Sequence, residues 1–486
     1  MTQHPEIETD TVKPKNSAVL SLSQSIIAGL VALSDVFVSI ATGLLIFWLY
    51  VEAEPEKFGQ YLTVIVLYSL FMVQSFHMAG LYRFSRILAP HRQIVLLAGI
   101  CLILFLLLTA GTFALKISID FSRVWAFSWL LTNITGIYVA RLAMYRVVRG
   151  LSNEGRIARK IAIYGAGEQG GRLIAHIEHL REPWNRIVGV FDDRKDRIEA
   201  DLSGYPLIGG AEDLTDWCRA NHVDEVLIAL PWGAHDRILE ILRLLASLPV
   251  NVRLSPEFIS ADILHRRTSN QFRVPMLSVL EKPVAGWGAV TKLFLDYTVA
   301  AILLVLTMPL LLIVICAIKL DSPGPVFFRQ KRYGFNNQLI EVYKFRSMYQ
   351  DQADHFAEKI TQKNDPRVTK VGAFIRRFSI DELPQIFNVL SGDMSVVGPR
   401  PHALMAKAGD VLYEDVVDQY AVRHKVKPGI TGWAQVNGWR GDTRDEAALI
   451  GRLEHDLYYI DNWSVLFDLS IILRTVSVVL RGENSY

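Results

Sequence analysis

The chain has 486 residues, of which 51% are hydrophobic and 21% charged, with a formal net charge of +2. Soluble domains carry about 25% charged residues, so this composition excludes a disordered or fibrous chain, and the near-neutral charge argues against nucleic acid as a partner. Three widely spaced cysteines, Cys101, Cys218 and Cys316, offer neither a disulfide framework nor metal-ligand spacing.

Residues 1–17 are polar, and the apolar run behind them is too long for the core of a cleavable signal peptide. Four apolar segments follow at 26–50, 61–81, 94–115 and 124–148. Each can cross hydrocarbon as a helix, which takes about 20 residues, so they predict a four-helix transmembrane domain over 1–150. The first connection is acidic, with Glu52, Glu54 and Glu56 against Lys57, whereas 82–93 carries Arg83, Arg86 and Arg92. The exit from the fourth segment bears Arg141, Arg146, Arg149, Arg156, Arg159 and Lys160. Positive loops stay cytoplasmic, so both ends of this unit face the cytoplasm. Arg141 and Arg146 read as anchors that snorkel to the interface.

Residues 151–285 change character. A strand, Lys160–Tyr164, runs into Gly165-Ala166-Gly167-Glu168-Gln169-Gly170 and a helix over 171–181, and a second strand from Ile187 to Phe191 ends at Asp192-Asp193. A later strand at 224–230 and a helix at 234–247 complete a Rossmann-like α/β pattern. Gly165, Gly167, Gly170 and Asp192 are its candidate nucleotide-binding residues. The same glycines serve a tight turn and close packing without any ligand, so a structural or regulatory domain stays open. No Tyr-x-x-x-Lys pair accompanies them.

A fifth apolar run, Leu293–Leu320, contains Asp296 and Pro309 and is flanked by Lys282 and Lys292 before it and Lys319, Arg329, Lys331 and Arg332 after it. Basic flanks at both ends predict a re-entrant helix bent at Pro309; a kinked crossing helix is the alternative. Beyond it, Lys344, Arg346, Arg376, Arg377 and Arg400 suit oxyanions, although basic residues beside a membrane equally face anionic lipid. Asp381-Glu382 precedes Pro384. A capping box from Ser379 to Glu382 would put that proline where its missing N–H breaks a bond. With Asp381 as the N-cap, Pro384 falls among the orphan donors, so the pair is expected at a helix N-terminus. There the dipole, with Arg376 and Arg377, favours ionised carboxylates.

From about 286 onward the chain closely resembles the bacterial sugar transferases, the polyprenyl-phosphate hexose-1-phosphate transferases of the monotopic phosphoglycosyl transferase superfamily. The resemblance is carried by Asp321-Ser322-Pro323-Gly324-Pro325-Val326-Phe327-Phe328-Arg329-Gln330, by Lys344 to Met348 and by Asn364-Asp365-Pro366-Arg367. Arg376 to Gln385, Val397 to Pro401 and Lys427 to Gln435 complete it. The whole layout looks like the large members. It implies a membrane α-helical bundle (1–150), an α/β Rossmann-like domain (151–285) and a membrane-embedded mixed α/β catalytic domain (286–486) with a re-entrant helix at about 293–320.

The resemblance further implies that Asp381 is a nucleophile toward the β-phosphate of a UDP-sugar and that Glu382 binds Mg²⁺. Pro399-Arg400-Pro401 is associated with the nucleotide, and Lys344, Arg346 and Arg376 neutralise phosphate oxygens. The acceptor would be undecaprenyl phosphate, the location a bacterial inner membrane with the catalytic domain cytoplasmic, and the product a lipid-linked sugar that starts exopolysaccharide or capsule assembly. Arg400-Pro401-His402-Ala403 and the stretch Arg423–Lys427 running into Asn437–Gly441 look most like members using UDP-glucose, with the galactose epimer as the alternative. Met308 stands where the family usually has serine before the kinking proline. Trp463–Leu480 looks like an interfacial helix, with a core helix as the alternative. The oligomeric state, a homo-oligomer included, is left open. An NAD-dependent sugar-nucleotide enzyme, resting on Gly165–Gly170, and a transporter or scaffold, resting on the four spans, are the rivals.

Overall fold

The computed structural model describes residues 23–51, 55–153, 157–180, 182, 184–194, 201–202, 204–255, 276–350, 365–402, 407–408, 411–412, 420–439 and 446–481. Of the residues singled out above, Glu52, Glu54, Arg156, Asn364, Ala403, Arg440 and Gly441 lie outside the described residues. The chain divides into two compact units, one spanning Leu20–Ala158 and one holding Arg159–Tyr486.

The first unit is built on four long helices, Gln24–Tyr50, Pro55–Met78, Ile94–Ala114 and Arg123–Asn153. Its surface is apolar, with Phe37, Trp48, Leu49, Val95 and Leu107 exposed, while Asp35, Ser39, Ser69, Gln93, Asn133 and Arg141 are buried. Polar groups inside and hydrocarbon outside suit lipid rather than water as the surrounding solvent. By length and composition four described helices can cross a membrane: Gln24–Tyr50, Lys57–Met78, Ile94–Ala114 and Gly286–Asp321 of the second unit. The helix Arg123–Asn153, expected as a span from 124–148, is not among them, since Thr132, Asn133, Thr135 and Arg141 lower its hydropathy.

Arg141 corrects its reading as a snorkelling anchor. Its guanidinium donates to Asp35 Oδ2 at 2.6 Å, Asp35 Oδ1 at 3.3 Å and Gln93 Oε1 at 2.7 Å. The Tyr82 hydroxyl adds a bond to Asp35 Oδ2 at 3.0 Å. The cause is Asp35, an acid in the middle of an apolar helix, whose charge is tolerated there only with a partner. The same two helices are joined by Trp125 Nε1 to Gly43 O and Trp129 Nε1 to Ser39 O, both at 3.1 Å.

The second unit begins with a seven-stranded sheet in the order Asp201–Leu202, Tyr205–Gly209, Asn185–Phe191, Arg159–Tyr164, Glu225–Ile228, Asn251–Leu254 and Leu277–Leu280. The five inner strands are parallel and the two edge strands antiparallel. Numbered along the chain, the parallel strands lie across the sheet in the order 3-2-1-4-5, a doubly wound arrangement whose crevice opens between Arg159–Tyr164 and Glu225–Ile228. Gly165 closes the turn at that crevice with φ +109°, and a Cβ there would sit 2.5 Å from Ala229 O. A Cβ on Gly170 would sit 1.8 Å from Gly165 O. Backbone packing alone therefore requires both glycines.

The rest of the unit starts with the helix Gly286–Asp321, 36 residues running through Pro309, about 54 Å at helical rise. Both of its halves are held by the same domain. Ala300 packs with Val342, Ile386, Val396 and Tyr459, and Leu311, Val314 and Ile318 pack with Phe345 and Ile375. Ile302, Val305, Leu306, Leu312 and Ile313 are exposed around the middle. Met308 has no side-chain donor for the carbonyls near Pro309, but Thr307 Oγ1 donates to Leu303 O at 2.7 Å. Next come an antiparallel pair, Phe327–Tyr333 with Leu339–Phe345, and the helix Lys370–Arg377. A 3₁₀ turn, Ile380–Glu382, leads into the short helix Gln385–Leu390. Ser395–Val397 pairs in parallel with Gly429–Thr431, and the helices Glu446–Asp461 and Val465–Arg481 close the domain.

Candidate active site

The site forms where three short elements meet. Strand Leu339–Phe345 presents Lys344, the 3₁₀ turn presents Asp381 and Glu382, and the loop after Ser395–Val397 presents Arg400. Asn388, fully buried on the helix Gln385–Leu390 that follows the turn, ties that helix to the strand. Its Oδ1 accepts from Tyr343 N–H at 2.9 Å, and its Nδ2 donates to Glu341 O at 2.7 Å.

The acidic pair is placed differently from the expectation. Ser379 adopts a left-handed conformation with φ +55°, reversing the chain after the helix Lys370–Arg377, and Pro384 itself takes the N-cap of Gln385–Leu390. Asp381 is therefore one turn ahead of that helix, not its cap. No capping box forms, because the Glu382 carboxylate is drawn to cations instead. Lys344 Nζ lies 2.8 Å from Glu382 Oε1, and Arg400 bonds both oxygens, Nη2 to Oε1 at 2.5 Å and Nη1 to Oε2 at 3.0 Å. The two-pronged arginine fixes direction as well as charge. Burial would raise Glu382, but Arg400 and Lys344 outweigh it and hold the carboxyl well below its usual range.

Asp381 is treated oppositely. Among the described residues its carboxylate makes no hydrogen bond or ion pair. Burial pushes it up to about 6 and Glu382 adds to the rise, against the opposing pull of Lys344, Arg376 and Arg400. Burial, not the helix dipole, sets its charge, so the expected bias toward ionisation is reversed in sign. Arg376 is half-buried nearby, and its guanidinium likewise makes no hydrogen bond or ion pair among the described residues. One carboxylate clamped by cations thus stands beside a second that is unengaged and raised to about 6, with an uncommitted arginine close to it. That arrangement suits an attack by Asp381 on a phosphoryl group whose oxygens the cations receive.

Comparison with known proteins bears on the whole chain. A family model described as bacterial sugar transferase matches residues 287–482, and one described as CoA-binding domain matches 77–256. A "UDP-glucose:undecaprenyl-phosphate glucose-1-phosphate transferase" of Xanthomonas campestris pv. campestris is 33% identical over 461 residues, 93% of each chain. A protein of the same name from Escherichia coli (strain K12) is 39% identical over 77% of this chain and 79% of its own. An "undecaprenyl-phosphate glucose phosphotransferase" of Komagataeibacter xylinus is 39% identical over 74% of this chain and 66% of its own length. The chain belongs to the bacterial sugar transferase family.

In this bacterial sugar transferase not every expected residue reaches the site. Lys344, Arg376 and Arg400 surround the acidic pair, but Arg346 does not join them. It is 5% exposed, and its guanidinium donates to Pro323 O at 2.7 Å, Ser322 O at 2.7 Å, Ser322 Oγ at 3.0 Å and Ile318 O at 3.3 Å. An arginine two residues beyond Lys344 looks like a second phosphate ligand in sequence; here it binds the carbonyls of the turn by which the chain leaves the long helix. Pro399 and Pro401 act through their carbonyls, which accept from Gly429 N–H at 2.9 Å and Arg332 Nη1 at 2.5 Å.

Behind Arg400 lies a support that motif reading missed. Arg423, 1% exposed, donates to Arg400 O at 2.8 Å and to Asp456 Oδ2 at 2.6 Å. Asp456 lies on an amphipathic helix with nothing local to mark it.

The Rossmann-like candidates are spent internally. Asp192, 2% exposed, accepts from Ala166 N–H at 2.9 Å, from Arg194 N–H at 3.0 Å and from the Arg194 guanidinium at 3.2 Å. Burial opposes, but these bonds hold it below its ordinary value. Asp193 pairs with Arg237 and accepts from the Tyr164 hydroxyl, and Glu168 occupies the first turn of the helix Glu168–His179. Gly167 is uncrowded, the nearest heavy atom to an added Cβ being Arg194 Nη2 at 3.9 Å. With three carboxylates around the turn and the Asp192 carboxylate consumed, these residues do not fit the diphosphate of a dinucleotide or of CoA.

Proposed function

We propose that this chain transfers glucose-1-phosphate from UDP-glucose to undecaprenyl phosphate by way of a covalent aspartyl-phosphosugar at Asp381, the first step of exopolysaccharide synthesis. The observation that carries it is the division of labour in the acidic pair, on a chain similar over most of its length to relatives named for this transfer. Asp381 attacks the β-phosphorus; the bond from that phosphorus to the bridging oxygen breaks, and UMP leaves with the oxygen. An oxygen of the lipid phosphate then attacks the same phosphorus and releases the Asp381 carboxylate. Splitting the transfer lets UMP leave before the lipid phosphate attacks, so one difficult displacement becomes two easier ones. Arg376 and Arg400 receive the charge that builds on the phosphoryl oxygens.

Glu382 Oε2 accepts from Arg400 Nη1 at 3.0 Å, and a carboxylate oxygen offers two lone pairs, so it could also hold Mg²⁺, which is bound by one or two carboxylates together with substrate phosphates. When bound there, the ion would neutralise diphosphate charge.

The long helix supports a re-entrant placement. Both halves pack on one domain, and both flanks are basic, so its two ends belong on the cytoplasmic face. Exposed Leu466, Leu469, Leu473 and Val476 on Val465–Arg481 add an apolar face for the same leaflet of a bacterial inner membrane. Galactose-1-phosphate is the alternative cargo, differing by the direction of one hydroxyl. The test is UMP release and lipid labelling from radiolabelled UDP-glucose and UDP-galactose with undecaprenyl phosphate and Mg²⁺. Transfer from UDP-glucose by the native chain and none by Asp381→Asn is expected. Near-normal turnover by Asp381→Asn, or no transfer by the native chain, would overturn the proposal.

A further inference from the structure

Between the long helix and the strand leading to Arg400 lies a buried polar knot that the proposed chemistry does not use. Lys292 Nζ donates to Asp296 Oδ1 at 3.1 Å, Val397 O at 3.0 Å and Asp468 Oδ2 at 2.8 Å, which spends all three ammonium protons. Asp296 accepts from Val396 N–H at 3.0 Å and has Ser395 Oγ at 2.8 Å. Asp468 accepts from Trp463 Nε1 at 3.2 Å. The Tyr459 hydroxyl stands 2.8 Å from Asp468 Oδ1 and 3.0 Å from Val397 O, its single proton serving one at a time. Asp296, Asp468, Tyr459 and Ser395 are all buried.

Buried ion pairs return little net stability over an apolar substitute. What such a knot supplies is fixed geometry, and here it converges on one short strand. Ser395, Val396 and Val397 are each held by it, and the chain runs directly on through Gly398 and Pro399 to Arg400, which grips Glu382. The anchors come from three elements: the long helix, the helix Glu446–Asp461 and the C-terminal helix.

We propose that Lys292, Asp296 and Asp468 are positioning residues that clamp the Ser395–Val397 strand to the membrane helix and so hold Arg400 in register with Glu382 and Asp381. The clamp rests on the transfer proposed above, and the two fail separately: absence of transfer by the native chain sinks the reaction, whereas a variant matching the native chain sinks the clamp alone. Loss of the clamp misplaces Arg400, and small misplacements in a phosphoryl-transfer site cost up to about a hundredfold. The test is Lys292→Met in the full chain, reading KM for UDP-glucose apart from kcat. A rise in KM with a fall in kcat/KM of at least about tenfold, largely restored in Lys292→Arg, is expected. An unchanged KM, whether or not active protein is lost, would reduce the knot to a structural brace and overturn the proposal. Should Lys292→Met not fold, Tyr459→Phe removes a single hydroxyl from the knot and is read by the same criterion.

Discussion

Lys344 Nζ lies 2.8 Å from Glu382 Oε1, while the carboxylate of Asp381, the preceding residue, makes no hydrogen bond or ion pair among the described residues. Adjacent acids in one turn are thereby split into a charged strut and an unengaged carboxylate, the proposed nucleophile. Environments that push two neighbouring carboxyls apart in this way assign their roles.

The pH dependence follows from that split. Asp381, held at about 6 chiefly by burial, must be ionised to act as the proposed nucleophile. Activity is therefore complete above that value and lost as pH falls through it. Lys344 pulls Asp381 downward, so Lys344→Met should move the acid limb of the kcat/KM profile to higher pH. A limb near ordinary carboxylate values, or one that Lys344→Met leaves in place, would contradict the assignment.

Arg346 separates a carbonyl-binding role from that of a phosphate ligand. Removing buried charged hydrogen bonds to backbone carbonyls costs about 1.5–3 kcal/mol, so Arg346→Ala should lower the melting temperature of the full chain in detergent. KM for UDP-glucose, measured on the folded fraction, should stay within about twofold, since a change that removes no substrate contact leaves binding intact. A large rise in KM would return Arg346 to the phosphates.

The Asp35–Arg141 pair in the first unit predicts non-additivity. Breaking a buried pair from one side costs about 3–5 kcal/mol, whereas replacing both partners with apolar groups can be nearly neutral. Asp35→Leu and Arg141→Met should each destabilise the chain in detergent, and the double substitution should recover much of the loss. Additive losses would show that the charges act independently.

Asp192 predicts a negative result. Isothermal titration of the native chain with NADH or with CoA should give no binding heat, because the carboxylate and its Ala166 and Arg194 partners fill the turn. Micromolar binding of either would contradict the self-occupied crevice.

What could be read from the sequence divides along physical lines. The apolar runs and the strand–turn–helix around Gly165 are local patterns, and both formed. Asp381, Glu382 and Arg400 lie in short motifs rich in chemistry, and the chain brings them together. Arg346 and Arg141 misled because a cation's sequence neighbours do not reveal which buried acceptors will claim it; Asp35 and the carbonyls of Ser322 and Pro323 did so from elsewhere. The N-cap expectation for Asp381 failed because Ser379 turned left-handed and Pro384 took the N-cap of the next helix. Asp296 read as a mere interruption of an apolar run, since its partners Ser395 and Val396 are about a hundred residues away.

The most direct measurement is mass spectrometry of the native chain quenched after incubation with UDP-glucose and Mg²⁺ but no lipid acceptor. The account predicts a hexose-phosphate adduct on the peptide containing Asp381, absent in Asp381→Asn and discharged on adding undecaprenyl phosphate. Stoichiometric UMP release with no adduct, or an adduct on another residue, would contradict it.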